Sequence, residues 1–195
     1  MRILDKYKNE IKELENLGNT IIACKVNNEV RSLNFNADDN DIVELLDTTS
    51  KDGHRIYIRG ILYIMAKALY ETYPEALLTV NYQLTSAMFC ELANMEITEE
   101  MIVKIKNKMQ DIIDRNIEIR KVIMNKKEAE EFYSNQKTLR GIVQIDNKQK
   151  ESVSLYYCED YYNYFFGVMP IYFKNIHIFV FDIIRFFMKM AICAL

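Results

Sequence analysis

The stretch IYIRGILYIMAKALYETYP, residues 56–74, constrains the fold of this chain more than any other. It reads as one long helix that Pro74 ends, because proline cannot continue a helical hydrogen-bond ladder. Ile58, Leu62, Met65 and Leu69 recur at helical spacing and predict a stripe that faces a core. Arg55, Arg59, Tyr63, Lys67 and Glu71 fall four residues apart, the spacing at which side chains share a helix face. That polar and aromatic ladder has the form of a binding-site wall, yet its Arg59, Tyr63 and Lys67 make poor hydrolytic catalysts near neutral pH.

The flanks predict mixed α and β structure. Residues 3–17 are amphipathic through Ile3, Tyr7, Ile11 and Leu14, and Gly18 is a natural helix stop. IIACKV and EVRSLNF flank Asn27-Asn28, a pair that tolerates the left-handed backbone of a tight hairpin turn. NADDNDIVELLD is expected to be a short helix, with Asp38, Asp39 and Asp41 at its positive end. The polar run TTSKDG, residues 48–53, marks a boundary. Beyond the long helix, LLTVNYQL and AMFCEL predict a strand pair turning at Thr85-Ser86. Thr98 caps a helix with Glu99 and Glu100 in its first turn and a stripe of Ile102, Ile105, Met109, Ile112 and Ile113. IEIRKVIM alternates as a strand does, and Asn125 with Glu128 forms a capping box that opens a helix over 126–135.

The chain has 195 residues and a net charge of -3, with half its residues hydrophobic, so it can bury a real core and has no strong basic field. Cys24, Cys90, Cys158 and Cys193 are scattered and the only histidines are His54 and His177, which argues against a zinc site and for reduced thiols in a cytoplasmic protein. The N-terminus has no signal-peptide run, and Asp182, Arg185 and Lys189 interrupt the apolar residues 177–195, so no membrane span is expected. All five glycines are isolated, which leaves no phosphate loop of the GxxxxGK(S/T) or dinucleotide type. No GxSxG or HExxH motif occurs. The carboxylate clusters are explained by helix first turns. Residues 156–187 hold 13 of the 23 aromatic residues, centred on YYCEDYYNYFFGVMP. With Glu159 and Asp160 but no Lys or Arg in residues 156–170, a packed aromatic core is the preferred reading over a base-stacking surface.

The order of these motifs is familiar. IIACKVNNEVRSLNF followed by DIVELLD resembles the TGS domain, the ubiquitin-like β-grasp module at the N-terminus of threonyl-tRNA synthetase. IRGILYIMAKALYETYPEALLTV, TEEMIVKIKNKM, RKVIMNKKEAEEFY and YYCEDYYNYFFGVMP, in that order, resemble the second additional domain of the same synthetases. The resemblance implies an α+β fold: a β-grasp TGS-like module over 1–50, an editing-domain-like α+β domain over 51–176, and an atypical apolar tail over 177–195 that reads as a truncated or frame-shifted end. In the synthetase this domain removes mischarged serine from tRNA with an HxxxH pair on the long helix and a CxxxH pair in the late loop. Here the first pair falls at Arg59 and Tyr63 and the second near Phe165 and Met169. None can reproduce that chemistry, so no catalytic residue and no metal ligand is expected.

The same two modules also precede a P-loop kinase in a bacterial family of uridine or nucleoside kinases, which DGHRIYIRG and the missing histidines resemble more closely. The leading expectation is therefore a non-catalytic binding or regulatory region of such a kinase-like protein, with ATP and magnesium needed only by a kinase domain absent from this sequence. Arg59, Tyr63, Lys67, Tyr164, Phe165 and Met169 would line a vestigial cleft for a nucleotide, an RNA or a kinase domain in cis. Arg59→Ala and Tyr63→Ala are then expected to leave the fold intact. The alternatives are a freestanding tRNA-editing hydrolase, for which His54 is the nearest histidine, and an RNA-binding adaptor using Arg55, Arg59 and Lys67 with Lys104, Lys106 and Lys108.

Overall fold

Helix α3, Lys51–Thr72, is the axis around which the rest is built. The computed structural model describes residues 1–84, 87–135, 151–173, 176, 180–184 and 189–193, with the backbone alone at 82–84, 87, 180–184 and 189–193. The α3 start is fixed by Ser50, whose hydroxyl accepts a hydrogen bond from the Gly53 backbone N–H at 3.1 Å. Gly53 is required there, because a Cβ would sit 1.8 Å from the Asp47 carbonyl oxygen. Twelve of the 22 residues of α3 are buried, so the helix is wrapped on all sides, not two-faced.

The first module packs on the N-terminal half of α3. Two short helices, α1 (Ile3–Lys6) and α2 (Lys8–Asn16), take the place of the single helix expected over 3–17, with the break at Tyr7. Gly18, at φ +88°, ends α2, and its N–H and that of Asn19 bond back to Glu15 and Leu14. Strand β1 (Ile21–Val26) pairs antiparallel with β2 (Glu29–Arg31) across Asn27-Asn28, both at positive φ as the sequence predicts, and with β3 (Val43–Asp47) on its other edge. The short helix expected over residues 36–47 is not formed. Asp41 accepts from Asn27 Nδ2 at 2.7 Å and from the Asp38 N–H at 2.8 Å, and Asn27 Oδ1 accepts from the Ile42 N–H at 3.0 Å. These bonds close a turn and deliver Val43–Asp47 to the sheet edge, so the aspartates serve a turn and not a helix dipole. One face of this sheet, through Ile22, Ala23 and Leu46, joins the core around α3; the other, through Ile21, Cys24 and Val26, packs on Ile3 and Ile11.

The second module surrounds the rest of α3. Strands β4 (Leu78–Leu84) and β5 (Ala87–Leu92) pair as the sequence predicts, although Thr85 and Ser86 lie outside the described residues. Helix α4 (Glu99–Arg115) is capped by Thr98 and buries the stripe Ile102, Ile105, Met109, Ile112 and Ile113, both as predicted, and it packs on α3. Strand β6 (Arg120–Asn125) leads through the Asn125–Glu128 capping box into α5 (Lys126–Ser134). Strands β7 (Ser152–Cys158) and β8 (Tyr161–Tyr164) complete an antiparallel sheet ordered β6-β7-β8. Within residues 177–195, β9 (Val180–Ile184) and β10 (Lys189–Cys193) extend the other sheet, ordered β4-β5-β10-β9; Phe186, Phe187 and Met188 lie outside the described residues. The fold is therefore α+β with small antiparallel sheets. Among the described residues no helix is long and apolar enough to cross a membrane.

Candidate functional site

The β7–β8 hairpin and the loop after it close over the polar ladder of α3. Tyr63 is 0% exposed, and its ring meets Tyr161 edge-on at 5.4 Å and Phe165 at 5.8 Å. Its hydroxyl donates within reach of the Tyr161 carbonyl, 3.1 Å, and the Tyr156 carbonyl, 3.3 Å. Burial holds the Tyr63 phenol well above its ordinary pKa, so it is a neutral donor. Met169 is 2% exposed in the same core. Arg59 is partly exposed and donates to the Val168 carbonyl at 3.2 Å. Its guanidinium lies beside Gly167, where a Cβ would come within 3.1 Å of it. The structure thus brings Arg59, Tyr63, Phe165 and the 167–169 loop together, as the resemblance implies, and fills the space among them with side chains.

Lys67 is also 0% exposed. Its ammonium lies 2.8 Å from Glu71, 2.9 Å from Glu159 and 3.6 Å from Asp160. Arg115 of α4 bridges the same carboxylates, at 3.2 Å from Glu71 and 2.7 Å from Glu159. Burial alone would lower the Lys67 pKa, but Glu71 and Glu159 outweigh it and the group is raised. Glu159 occupies the hairpin turn at φ +57°, a backbone region unfavourable for its type. The cage ties this turn to α3 and α4. It takes Lys67 out of any surface basic patch, and Lys108 is likewise tied to Glu71 and Asp111. The sequence reading missed this network; Glu71 one turn after Lys67, with Glu159 and Asp160 in a tight turn, was its only signal.

Two openings adjoin this sealed centre. One is an aromatic groove of about 370 Å³, lined by Tyr70, Tyr133, Tyr161, Tyr162, Tyr164 and Phe165 over Leu62 and Ala66 of α3. Tyr164 and Phe165 reach it; Tyr63 and Lys67 do not line it. The Tyr133 ring is 2% exposed and its hydroxyl lacks a hydrogen bond of normal geometry, although the Tyr164 backbone lies near enough to lower its burial-raised pKa. The other is a groove of about 470 Å³ between the two modules, lined by Arg31, Phe35, Arg120, Lys121 and Tyr156 among others. Neither the Cys158 thiol nor the Tyr156 phenol beside the sealed centre is a ready nucleophile. Burial pushes the Cys158 thiol up to about 11 and the Tyr156 phenol up to about 12. Among the described residues no group of three His, Cys, Asp or Glu is placed to hold a metal ion.

The class defined by this fold and this sealed site is an α+β module whose buried centre is built for packing. Comparison with known proteins narrows it. No family model matches the chain. Curated relatives include a threonine–tRNA ligase of Chlamydia caviae, 24% identical over 112 residues that cover 56% of this chain and 18% of that protein. A probable cytoplasmic threonine–tRNA ligase of Enterocytozoon bieneusi is 27% identical over 144 residues, 73% of this chain and 22% of that protein. A threonine–tRNA ligase of Thermobifida fusca is 32% identical over 101 residues, 51% of this chain and 15% of that protein. The chain spans about a fifth of the length of the first relatives it matches. It contains a threonyl-tRNA-synthetase-like region.

Proposed function

We propose that this chain is a synthetase-related module that recognises RNA without hydrolysing it. The observation that carries the reading is the convergence of Arg59, Tyr63, Phe165 and Met169 at the positions where the resemblance puts an editing enzyme's histidines and cysteine. A buried phenol, a guanidinium on a carbonyl, a phenyl ring and a thioether supply no general base and no activated water. The tyrosine-lined groove beside them is suited to stacking on an unpaired base. Relatives whose names state action on tRNA support RNA as the ligand class. The first module is then TGS-like. The kinase-associated context, with nucleoside phosphorylation by ATP elsewhere in a longer protein, rests on sequence resemblance alone, and the relatives found favour the synthetase-related reading.

The test is direct. Incubation with serine-mischarged threonine tRNA should give no deacylation above the uncatalysed rate, and fluorescence anisotropy should show salt-dependent tRNA binding. Replacing Tyr162 and Tyr164 by alanine should weaken that binding at least tenfold, as expected for loss of about 1–3 kcal/mol per stacked base. Deacylation that His54→Ala abolishes would establish an editing hydrolase instead, and the absence of salt-dependent binding would sink the adaptor reading.

A further inference from the structure

The inter-module groove has a composition that the aromatic groove lacks. It is lined by three cations, Arg31, Arg120 and Lys121, and by no carboxylate. Arg31 pairs with Glu29, and Arg120 pairs with Glu118 at 3.1 Å; no ion pair of Lys121 occurs among the described residues. Arg59 is hydrogen-bonded to the groove wall at Val168, to a carbonyl and not to a carboxylate. Burial holds its pKa below the ordinary arginine value, the mark of a cation short of compensation. Counted together, these groups leave the groove net positive in a chain whose total is -3.

Two further features narrow what such a groove accepts. Phe35 presents an aromatic ring with the Arg31 guanidinium 5.1 Å from its centroid. Asn34 donates its Nδ2 to Glu118 at 3.0 Å, while its buried Oδ1 has no hydrogen-bond partner. An orphan buried acceptor calls for an N–H or O–H donor. Bare phosphate supplies the charge but no ring, and an acidic peptide supplies the charge but not a flat donor-bearing face. A nucleotide supplies all three: phosphate for Arg120 and Lys121, a ring for the Phe35–Arg31 edge, and an exocyclic amine or ribose hydroxyl for Asn34. The volume of about 470 Å³ lies within the range of small-ligand sites.

We propose that the groove between the two modules is a nucleotide-binding site, with Arg120 and Lys121 on the phosphate, Asn34 Oδ1 as acceptor and Phe35 beside the base. The site goes beyond the tyrosine-lined stacking groove proposed above and stands without it. Its ligand is either a free mononucleotide or one nucleotide of an RNA strand, and the two are separated by experiment. Titration with uridine and adenosine monophosphates, and with a fluorescein-labelled single-stranded octanucleotide RNA, is followed by isothermal calorimetry and anisotropy on the full chain. Lys121→Glu and Asn34→Leu should each lower affinity at least fivefold for whichever probe binds. Lys127→Glu, the same charge change on the exposed first turn of α5, should change it less than twofold. Binding of a mononucleotide assigns a free-nucleotide site; binding of the octanucleotide alone, still sensitive to Lys121→Glu and Asn34→Leu, assigns an RNA site. Equal losses with Lys127→Glu and Lys121→Glu would reduce the effect to bulk charge and overturn the proposal. So would binding of neither probe at millimolar concentration, or binding indifferent to Asn34→Leu in variants whose circular dichroism and melting match the parent chain.

Discussion

The polar ladder of α3 has two ends with opposite fates. Tyr63 and Lys67 are fully enclosed by the β7–β8 hairpin, while Arg55 is exposed and Arg59 emerges at the rim of the inter-module groove. Four residues of spacing separate each from the next, so the helix itself does not distinguish them. What differs is the partner: an acidic hairpin turn and an aromatic strand at one end, a short loop and the edge of another module at the other. Equal spacing on a helix tells which groups share a face, and only the covering element tells whether that face is a site or an interior.

Substitutions along the ladder test that contrast, and their effects should fall in order from the sealed middle to the open end. Tyr63→Ala should lower unfolding free energy by about 3–5 kcal/mol in urea denaturation, since it empties a ring-sized space and strips the Tyr161 carbonyl of a donor. This reverses the expectation that the fold would tolerate it; a loss below about 1 kcal/mol would show that the hairpin does not seal the face. Lys67→Met should come next, near 3 kcal/mol, because Glu71, Glu159 and Asp160 would face one another with Arg115 and Lys108 as their remaining partners. A double-mutant cycle with Glu159→Gln should recover part of it.

The same cage sets an acid limb. Burial alone would raise the Glu71 pKa, but Lys67 and Arg115 outweigh it and hold the carboxyl below its reference value of 4.5. A group lowered in the folded state stabilises above its unfolded pKa, and that stability is lost as pH falls through the lower folded value. Stability should therefore drop as pH falls below the reference value of 4.5, more steeply in the parent chain than in Lys67→Met. Identical slopes would mean that the cage is not formed in solution. Arg59→Ala should cost about 1 kcal/mol, for one hydrogen bond to Val168 and some packing against Gly167. Arg55→Ala should fall within about 0.5 kcal/mol, as its 3.9 Å pair with Asp52 is largely solvated.

Much of the architecture was legible in the residues. The Asn27-Asn28 turn, the Thr98 cap, the five-residue stripe of α4 and the Asn125–Glu128 capping box are local devices, and local devices are written in adjacent residues. The failures came where a local signal had two readings. Three aspartates before VELLD match a helix dipole as well as an Asx-type turn, and the choice was made by Asn27, 14 residues away, which bonds to Asp41. The ladder failed in another way. A run with Ile56, Tyr57, Ile61, Ile64 and Ala68 outside the chosen stripe was already apolar nearly all round, which signals a helix buried on every side.

The candidate sites divide along the same line. Sequence order alone brought Arg59, Tyr63, Phe165 and Met169 to attention as one constellation, because a family resemblance carries spatial proximity that spacing cannot. It also excluded a phosphate loop, since that needs clustered glycines and these are isolated. Whether the constellation is open, what neutralises Lys67, and that Arg31 and Asn34 share a groove with Arg120 and Lys121, were decided by the tertiary structure. Those contacts join residues roughly 90 positions apart, and their energies depend on burial and on which charges meet, quantities that no local pattern of residues contains.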